Sequence, residues 1–206
     1  MIHPNQEEMF GVESRATPEL PADFEYDPRF LDEAESRAIF SELRSTVDWK
    51  QDHTSLYGRR IALPRLTAWY GDPGCSYKYS GIVNEPLPWN ATLQHLQVAL
   101  QQRTSASYNS VLLNLYRNGS DGLGWHSDDE RELGSTPTIA SLSLGEVRRF
   151  RLRHRRTKES VNLELANGSL LVMKGHSQRD WEHCVPKSKK VLGERINATF
   201  RLVGVG

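Results

Sequence analysis

Cysteine is scarce in this chain: Cys75 and Cys184 are the only two in 206 residues, and they have no CxxC spacing. That excludes a disulfide-stapled fold and points to an intracellular protein with both thiols free. No run of about 18 apolar residues occurs, so no helix is expected to span a membrane. The opening MIHPNQEEMFGVESR is polar and acidic and lacks the charged-then-apolar pattern of a signal peptide. Net charge is also missing, with 26 Lys+Arg against 26 Asp+Glu, but the two signs are segregated. Residues 1–50 hold 12 acids and 5 bases, whereas Arg148 to Arg201 hold 14 bases and 5 acids. A basic C-terminal half is what a polyanion-binding surface requires, although a run of solvated charge is the commoner outcome.

What is present is enough apolar material for a core, 37% hydrophobic with 9% aromatic. Residues 1–23 carry no periodicity and read as a flexible N-terminal arm, with residues 24–206 as a single domain. Asp32 is placed to cap a helix in which Ala34, Ala38, Ile39, Leu43 and Val47 recur at helical spacing, with Trp49 as a core anchor after it. Residues 50–82 read as short strands and turns rich in rings: Tyr57, Trp69, Tyr70, Tyr77 and Tyr79. Interleaved with Arg59, Arg60, Arg65 and Lys78, those rings suit either base stacking or hairpin packing. Pro86 to Gln102 reads as a second helix, with Leu93, Leu96 and Leu100 on one face. From about 109 to 203 the pattern is strand after strand: SVLLNLY, TIASLSL, RRFRLRH, VNLELAN, SLLVMK and RINATFRLV, with no helical pattern between them. The expected fold class is therefore α+β, a jelly roll or double-stranded β-helix of the cupin-like kind with supporting N-terminal helices.

The chemistry-bearing stretch is NLYRNGSDGLGWHSD, which ends in the H-x-D of His126 and Asp128, with His183 far downstream as a third possible ligand. On a strand, i and i+2 share a face, so the pair can hold one metal ion from one side. Two imidazoles and a carboxylate suit Fe(II) with open coordination positions, and they also suit catalytic zinc. The C-terminal strand bears on that choice. Period two puts Arg195, Asn197, Thr199 and Arg201 on one face of RINATFR, and Ile196, Ala198 and Phe200 on the other. Such a strand lines a wet cationic cavity, or else shows its polar side to solvent at a sheet edge. Arginine's planar fork suits a carboxylate, and a dicarboxylate co-substrate would use both. Leu112, Asn114 and Tyr116 share a face leading into the H-x-D.

Taken together, NLYRNGSDGLGWHSDDE, WEHCVPK and RINATFR resemble the AlkB family of Fe(II)/2-oxoglutarate dioxygenases, in its branch of eukaryotic-type nucleic-acid repair homologues. PRLTAWYGDPGCSYKYSG, TIASLSLGEVRRFRLRH and NGSLLVMKG extend the resemblance from about Trp49 to Val203. It implies that His126, Asp128 and His183 bind Fe(II). It also implies that Asn114, Tyr116, Arg195, Thr199 and Arg201 hold 2-oxoglutarate, with Asn197 a weaker candidate on the same face. Arg195 would take the distal carboxylate and Arg201 would sit nearer the metal, with O2 as the other co-substrate.

The implied reaction is oxidative demethylation of 1-methyladenine or 3-methylcytosine in single- or double-stranded DNA, with RNA left open as a second substrate. Its products would be formaldehyde, succinate and CO2. A flipped base would stack on Tyr77 or Tyr79 beside Ser80, against the His126 ring. Asp129 and Glu130 would meet its exocyclic amine and favour a cationic lesion, unless they form a solvated turn. Tyr57-Gly58 sits where duplex-acting members carry an intercalating finger, or is a packed hairpin tip. Arg65, Arg155, Arg156, Lys158, Lys189 and Lys190 would contact the nucleic-acid backbone. The chain is expected to be a monomer, cytoplasmic in a bacterium or nuclear in a eukaryote, and not membrane-bound. The rival readings are a same-fold oxygenase acting on RNA marks, a protein or a small molecule, and a non-catalytic nucleic-acid-binding module.

Overall fold

In the computed structural model the described residues are 18–56, 58–75, 77–79, 82–190 and 192–204; of residues 55, 56, 77–79 and 82–84 only the backbone is described. The first strand, β1 (Phe24–Asp27), precedes helix α1 (Glu33–Thr46). Then come β2 (His53–Leu56), β3 (Arg59–Ala62), β4 (Leu66–Gly71), β5 (Tyr77–Tyr79), β6 (Ile82–Asn84) and helix α2 (Ala91–Thr104). The second half holds β7 (Ser110–Tyr116), β8 (Leu123–His126), β9 (Ile139–Gly145), β10 (Arg148–His154), β11 (Ser160–Leu165) and β12 (Ser169–Met173). The short helix α3 (Ser177–Asp180), β13 (Trp181–Val185) and β14 (Arg195–Arg201) complete it.

Two antiparallel sheets carry the framework, one of six strands in the order β1-β12-β9-β14-β7-β4 and one of four in the order β11-β10-β13-β8. This is the expected jelly roll. The alternation of β14 explains the layering. Its apolar set, Ile196, Ala198 and Phe200, packs with Leu113 and Leu115 of β7, Leu142 and Leu144 of β9, and the buried leucines of α1 and α2. The opposite face of the six-stranded sheet looks at the four-stranded one. There Tyr116, Ile139, Leu171 and Met173 meet Phe150, Leu152, Trp181 and Val185 in a second cluster. The helices thus buttress the outside of one sheet and leave the space between the sheets for the site.

Local chemistry sets the helix ends. Asp32 accepts from the Glu35 backbone N–H at 2.8 Å and caps α1 as its sequence position predicts. The second helix starts later than expected: Asn90 is its N-cap, accepting from Leu93 N at 2.8 Å. Pro86 and Pro88 hold the preceding chain extended, and Leu87 instead bridges to Tyr70. The strand run is also interrupted, contrary to expectation, by α3 and by a 3-10 turn at Arg131–Leu133, both too short to leave a periodic pattern. Strands β1 and β13 were not among the strands read from the sequence, and β8 was read only through the H-x-D placed on it. Of the expected arm, 1–23, the description begins at Pro18. Leu20 packs against the inner cluster, and the Asp23 carbonyl accepts from Lys174 N at 2.9 Å.

Candidate active site

Sheet pairing brings the two distant histidines together. Strands β8 and β13 are antiparallel neighbours with His126 directly opposite His183, and the ring centroids are 4.2 Å apart. Asp128 joins them: one potential ligand atom from each of the three residues falls within 4.8 Å of the others. Contrary to expectation, the H-x-D does not lie on one strand. His126 is the last residue of β8, and Asp128 lies in the following loop, so shared strand face does not align them. Asp128 is instead aimed by its partners. Gln178 accepts from its backbone N–H at 2.9 Å, and Arg201 donates to Oδ2 at 2.8 Å.

The surroundings bias His183 and Asp128 toward the protonation states that a metal ligand needs, and orient the His126 ring. His126 Nδ1 is 2.9 Å from the Gly124 carbonyl, which can only accept, so the ring proton sits on Nδ1 and Nε2 is left for coordination. Burial pushes His183 down to about 3, helped by His126 and Arg201 against Asp128, so its imidazole is neutral. Burial acts to raise Asp128, but the charges of Arg201, His183 and His126 outweigh it and hold the carboxyl down at about 2. The Phe150 ring stacks on His183, with centroids 5.3 Å apart.

These residues line a cavity of about 270 Å³ together with Leu112, Asn114, Tyr116 and the polar face of β14. The solvent-facing alternative for that face is excluded, because β14 lies between β9 and β7 and all seven of its residues are buried. Arg195 is 1% exposed; its Nη2 donates to Ser143 Oγ at 2.9 Å. Its Nε and Nη1, and the Tyr116 hydroxyl, meet no hydrogen-bonding partner among the described residues. Burial pushes the guanidinium down to about 10, opposed by Tyr116, so it is still a cation at neutral pH. A buried cation with no carboxylate partner among the described residues is costly unless an anion arrives. Asn197 is engaged by Ser141 Oγ at 2.8 Å and the Leu142 carbonyl at 3.1 Å. Thr199 donates to Asn197 Oδ1 at 3.1 Å.

The other candidates divide. Arg65 is a correction: it is 6% exposed in the cavity wall, with Nε donating to Asn114 Oδ1 at 2.7 Å, and it is not on a surface that meets a nucleic-acid backbone. For Asp129 the structure shows the solvated alternative. Its side chain is 55% exposed, lies outside the cavity lining and pairs with Arg155 Nη2 at 2.8 Å, whereas Glu130 does line the cavity. Arg155 is thereby engaged within the chain, while Arg156, Lys158, Lys189 and Lys190 are exposed. Gly58, at φ +74°, turns the β2–β3 hairpin with open space where a Cβ would be. Tyr57 and Ser80 lie outside the described residues, and so do the side chains of Tyr77 and Tyr79, whose backbone forms β5. Sequence reasoning missed Gln178, Phe150, Ser141 and Ser143. The two serines carried a signal, since IASLSLG alternates small polar with apolar residues in the same period as β14.

The comparisons with known proteins agree with this geometry. The chain matches the 2OG-Fe(II) oxygenase superfamily over residues 23–201. It is 42% identical over 186 residues to the alpha-ketoglutarate-dependent dioxygenase alkB homolog 3 of Bos taurus, covering 85% of this chain and 64% of that protein. It is 39% identical over 181 residues to the DNA oxidative demethylase ALKBH2 of Mus musculus, covering 82% and 76%. The chain therefore spans just under two thirds of the length of its alkB homolog 3 relative. Two solved structures share the fold. OsALKBH1 has a TM-score of 0.61 at 19% identity, covering 89% of this chain and all 100% of that one. A Pseudomonas putida prolyl-4-hydroxylase has a TM-score of 0.57 at 17% identity, covering 88% and 94%. The chain belongs to the 2OG-Fe(II) oxygenase superfamily and, within it, to the AlkB family.

Proposed function

We propose that this chain is an Fe(II)- and 2-oxoglutarate-dependent oxidative demethylase that removes N-methyl groups from cationic bases, 1-methyladenine and 3-methylcytosine, in DNA. The observation that carries the reading is the buried Arg195, with no carboxylate partner among the described residues, in the same cavity as the His126–Asp128–His183 cluster. A zinc hydrolase has no need of that cation, whereas a dicarboxylate co-substrate supplies the anion it lacks. The name of the mouse relative, a DNA oxidative demethylase, supports the substrate class.

The residues present fit the metal and co-substrate. His126 Nε2, His183 and Asp128 would hold Fe(II), which together with 2-oxoglutarate and O2 supplies the oxidation of the N-methyl carbon. Arg195, Ser143 and Tyr116 would take the distal carboxylate of 2-oxoglutarate, and Asn114 and Thr199 would line its path. Arg201 keeps Asp128 ionised and fixed in direction. The hydroxylated methyl group is a hemiaminal, which releases formaldehyde and the unmodified base. Glu130, which lines the cavity, is our candidate for the carboxylate that favours a positively charged ring. Tyr77, Tyr79 and Ser80 remain our candidates for stacking the base, and Tyr57 for holding the duplex open. Arg156, Lys158, Lys189 and Lys190 are our candidates for backbone phosphates.

Calorimetric titration with 2-oxoglutarate tests the carrying observation. Arg195→Met is expected to abolish measurable co-substrate binding. Because it removes a buried charge that no carboxylate among the described residues balances, it should leave the ligand-free protein as stable as the parent or more so. Wild-type affinity in Arg195→Met would overturn the reading.

A further inference from the structure

Immediately before His126 the edge strand β8 leaves regular pairing. Val185 pairs with Leu123 and His183 with His126, so β13 advances two residues where β8 advances three. This is a β-bulge, with Gly124 and Trp125 occupying the place of one residue. Strand period is two, so without the bulge an inward Leu123 would be followed by an inward Trp125 and an outward His126. With it, Leu123 packs into the cluster between the sheets and His126 faces His183.

What secures the bulge lies on the other face of that sheet. The Arg153 guanidinium carbon sits 4.3 Å from the centroid of the Trp125 ring, and that of Arg151 sits 5.3 Å from it. Both arginines belong to β10 and reach across β13 to the indole. Glu182 of β13 fixes Arg153 on the way, accepting from its Nε at 2.7 Å. Arg151 Nε is buried with no hydrogen-bond partner among the described residues, which leaves the indole face as a neighbour of its charge. An edge strand has only one neighbour to enforce its register, so a clamp on the bulged residue supplies the missing restraint.

We propose that Trp125, clamped by Arg153 and Glu182, is a positioning residue of the metal site. It locks the bulge that presents the Gly124 carbonyl to His126, and so fixes the tautomer and the aim of that ligand. The inference rests on the reading of His126 as a metal ligand. Partners one step behind a ligand commonly govern metal affinity by about 10–100-fold.

The test titrates the full chain with Co(II), followed by visible absorption, and reads the His126 ring nitrogens of the metal-free protein by nitrogen-15 NMR. Trp125→Ala is expected to weaken Co(II) binding about 10–100-fold and to turn a single His126 tautomer into a mixture. Trp125→Phe, which keeps a ring face for Arg153, should recover most of the loss. Arg149→Ala, an exposed arginine on the same strand, should change neither readout. Should Trp125→Ala fail to fold, Arg153→Leu removes the clamp and leaves the indole, with the same expectation. Unchanged affinity and tautomer in these variants, failure of the Phe variant to recover, or an equal loss in Arg149→Ala overturns the proposal. A wild-type chain that takes up no Co(II) overturns the metal-site reading itself. Wild-type binding with an indifferent Trp125→Ala overturns this inference alone.

Discussion

Arg195 and Arg201 bring the same charge into one cavity and obey opposite energetics. Arg201 is paired with Asp128 at 2.8 Å, each side chain 6% exposed, so removing either partner leaves a buried charge uncompensated. Arg195 has no such partner among the described residues, and its removal relieves the ligand-free protein. The same cluster makes stability depend on pH. His183 moves from 6.5 down to about 3 on folding, and Asp128 from 3.8 down to about 2. Both folded values lie below the unfolded ones, so the unfolded chain binds more protons as the pH falls. Stability of the metal-free protein is therefore complete above 6.5, declines toward 3 through His183, and declines from 3.8 to about 2 through Asp128. Urea midpoints measured between about pH 7 and pH 4 should fall steadily. In His183→Asn the decline over this range should flatten; an equally steep decline in that variant would contradict the account.

Among elements, α2 separates packing from capping. Its Leu93, Leu96 and Leu100 are fully buried against the outer face of the six-stranded sheet, whereas Asn90 contributes one hydrogen bond to the first turn. Leu96→Ala is expected to cost about 2–5 kcal/mol and Asn90→Ala about 1 kcal/mol, both read by chemical denaturation. Equal costs would mean that packing does not hold the helix. The elements that could be read in the sequence were those with a sustained period. Two helical faces showed the helix layer, and the alternation of β7 and β14 showed the polar lining of the cavity. The end of strand β8 was hidden because four residues with a bulge have no period to follow. Asp128 was singled out by a strand spacing that the structure does not show. Its place is set by Gln178 and Arg201, 50 and 73 residues away, which strand spacing cannot encode.

For the whole molecule, charge segregation and fold have to be read together. The surplus of bases after Arg148 is not one surface: Arg148, Arg195 and Arg201 are buried, Arg153 and Arg155 are paired, and Arg156, Lys158, Lys189 and Lys190 are exposed. Composition alone could not divide structural cations from those free to meet phosphates. No described helix is long and apolar enough to cross a membrane. The central claim is that this cavity couples 2-oxoglutarate turnover to demethylation of a cationic base. The most direct measurement incubates the chain with Fe(II), ascorbate, 2-oxoglutarate and a 3-methylcytosine or 1-methyladenine oligonucleotide, and quantifies formaldehyde and succinate together. Equimolar release of the two, abolished in His126→Ala and Asp128→Ala, is the predicted result. No formaldehyde from any methylated oligonucleotide, or turnover undiminished in either variant, would contradict it.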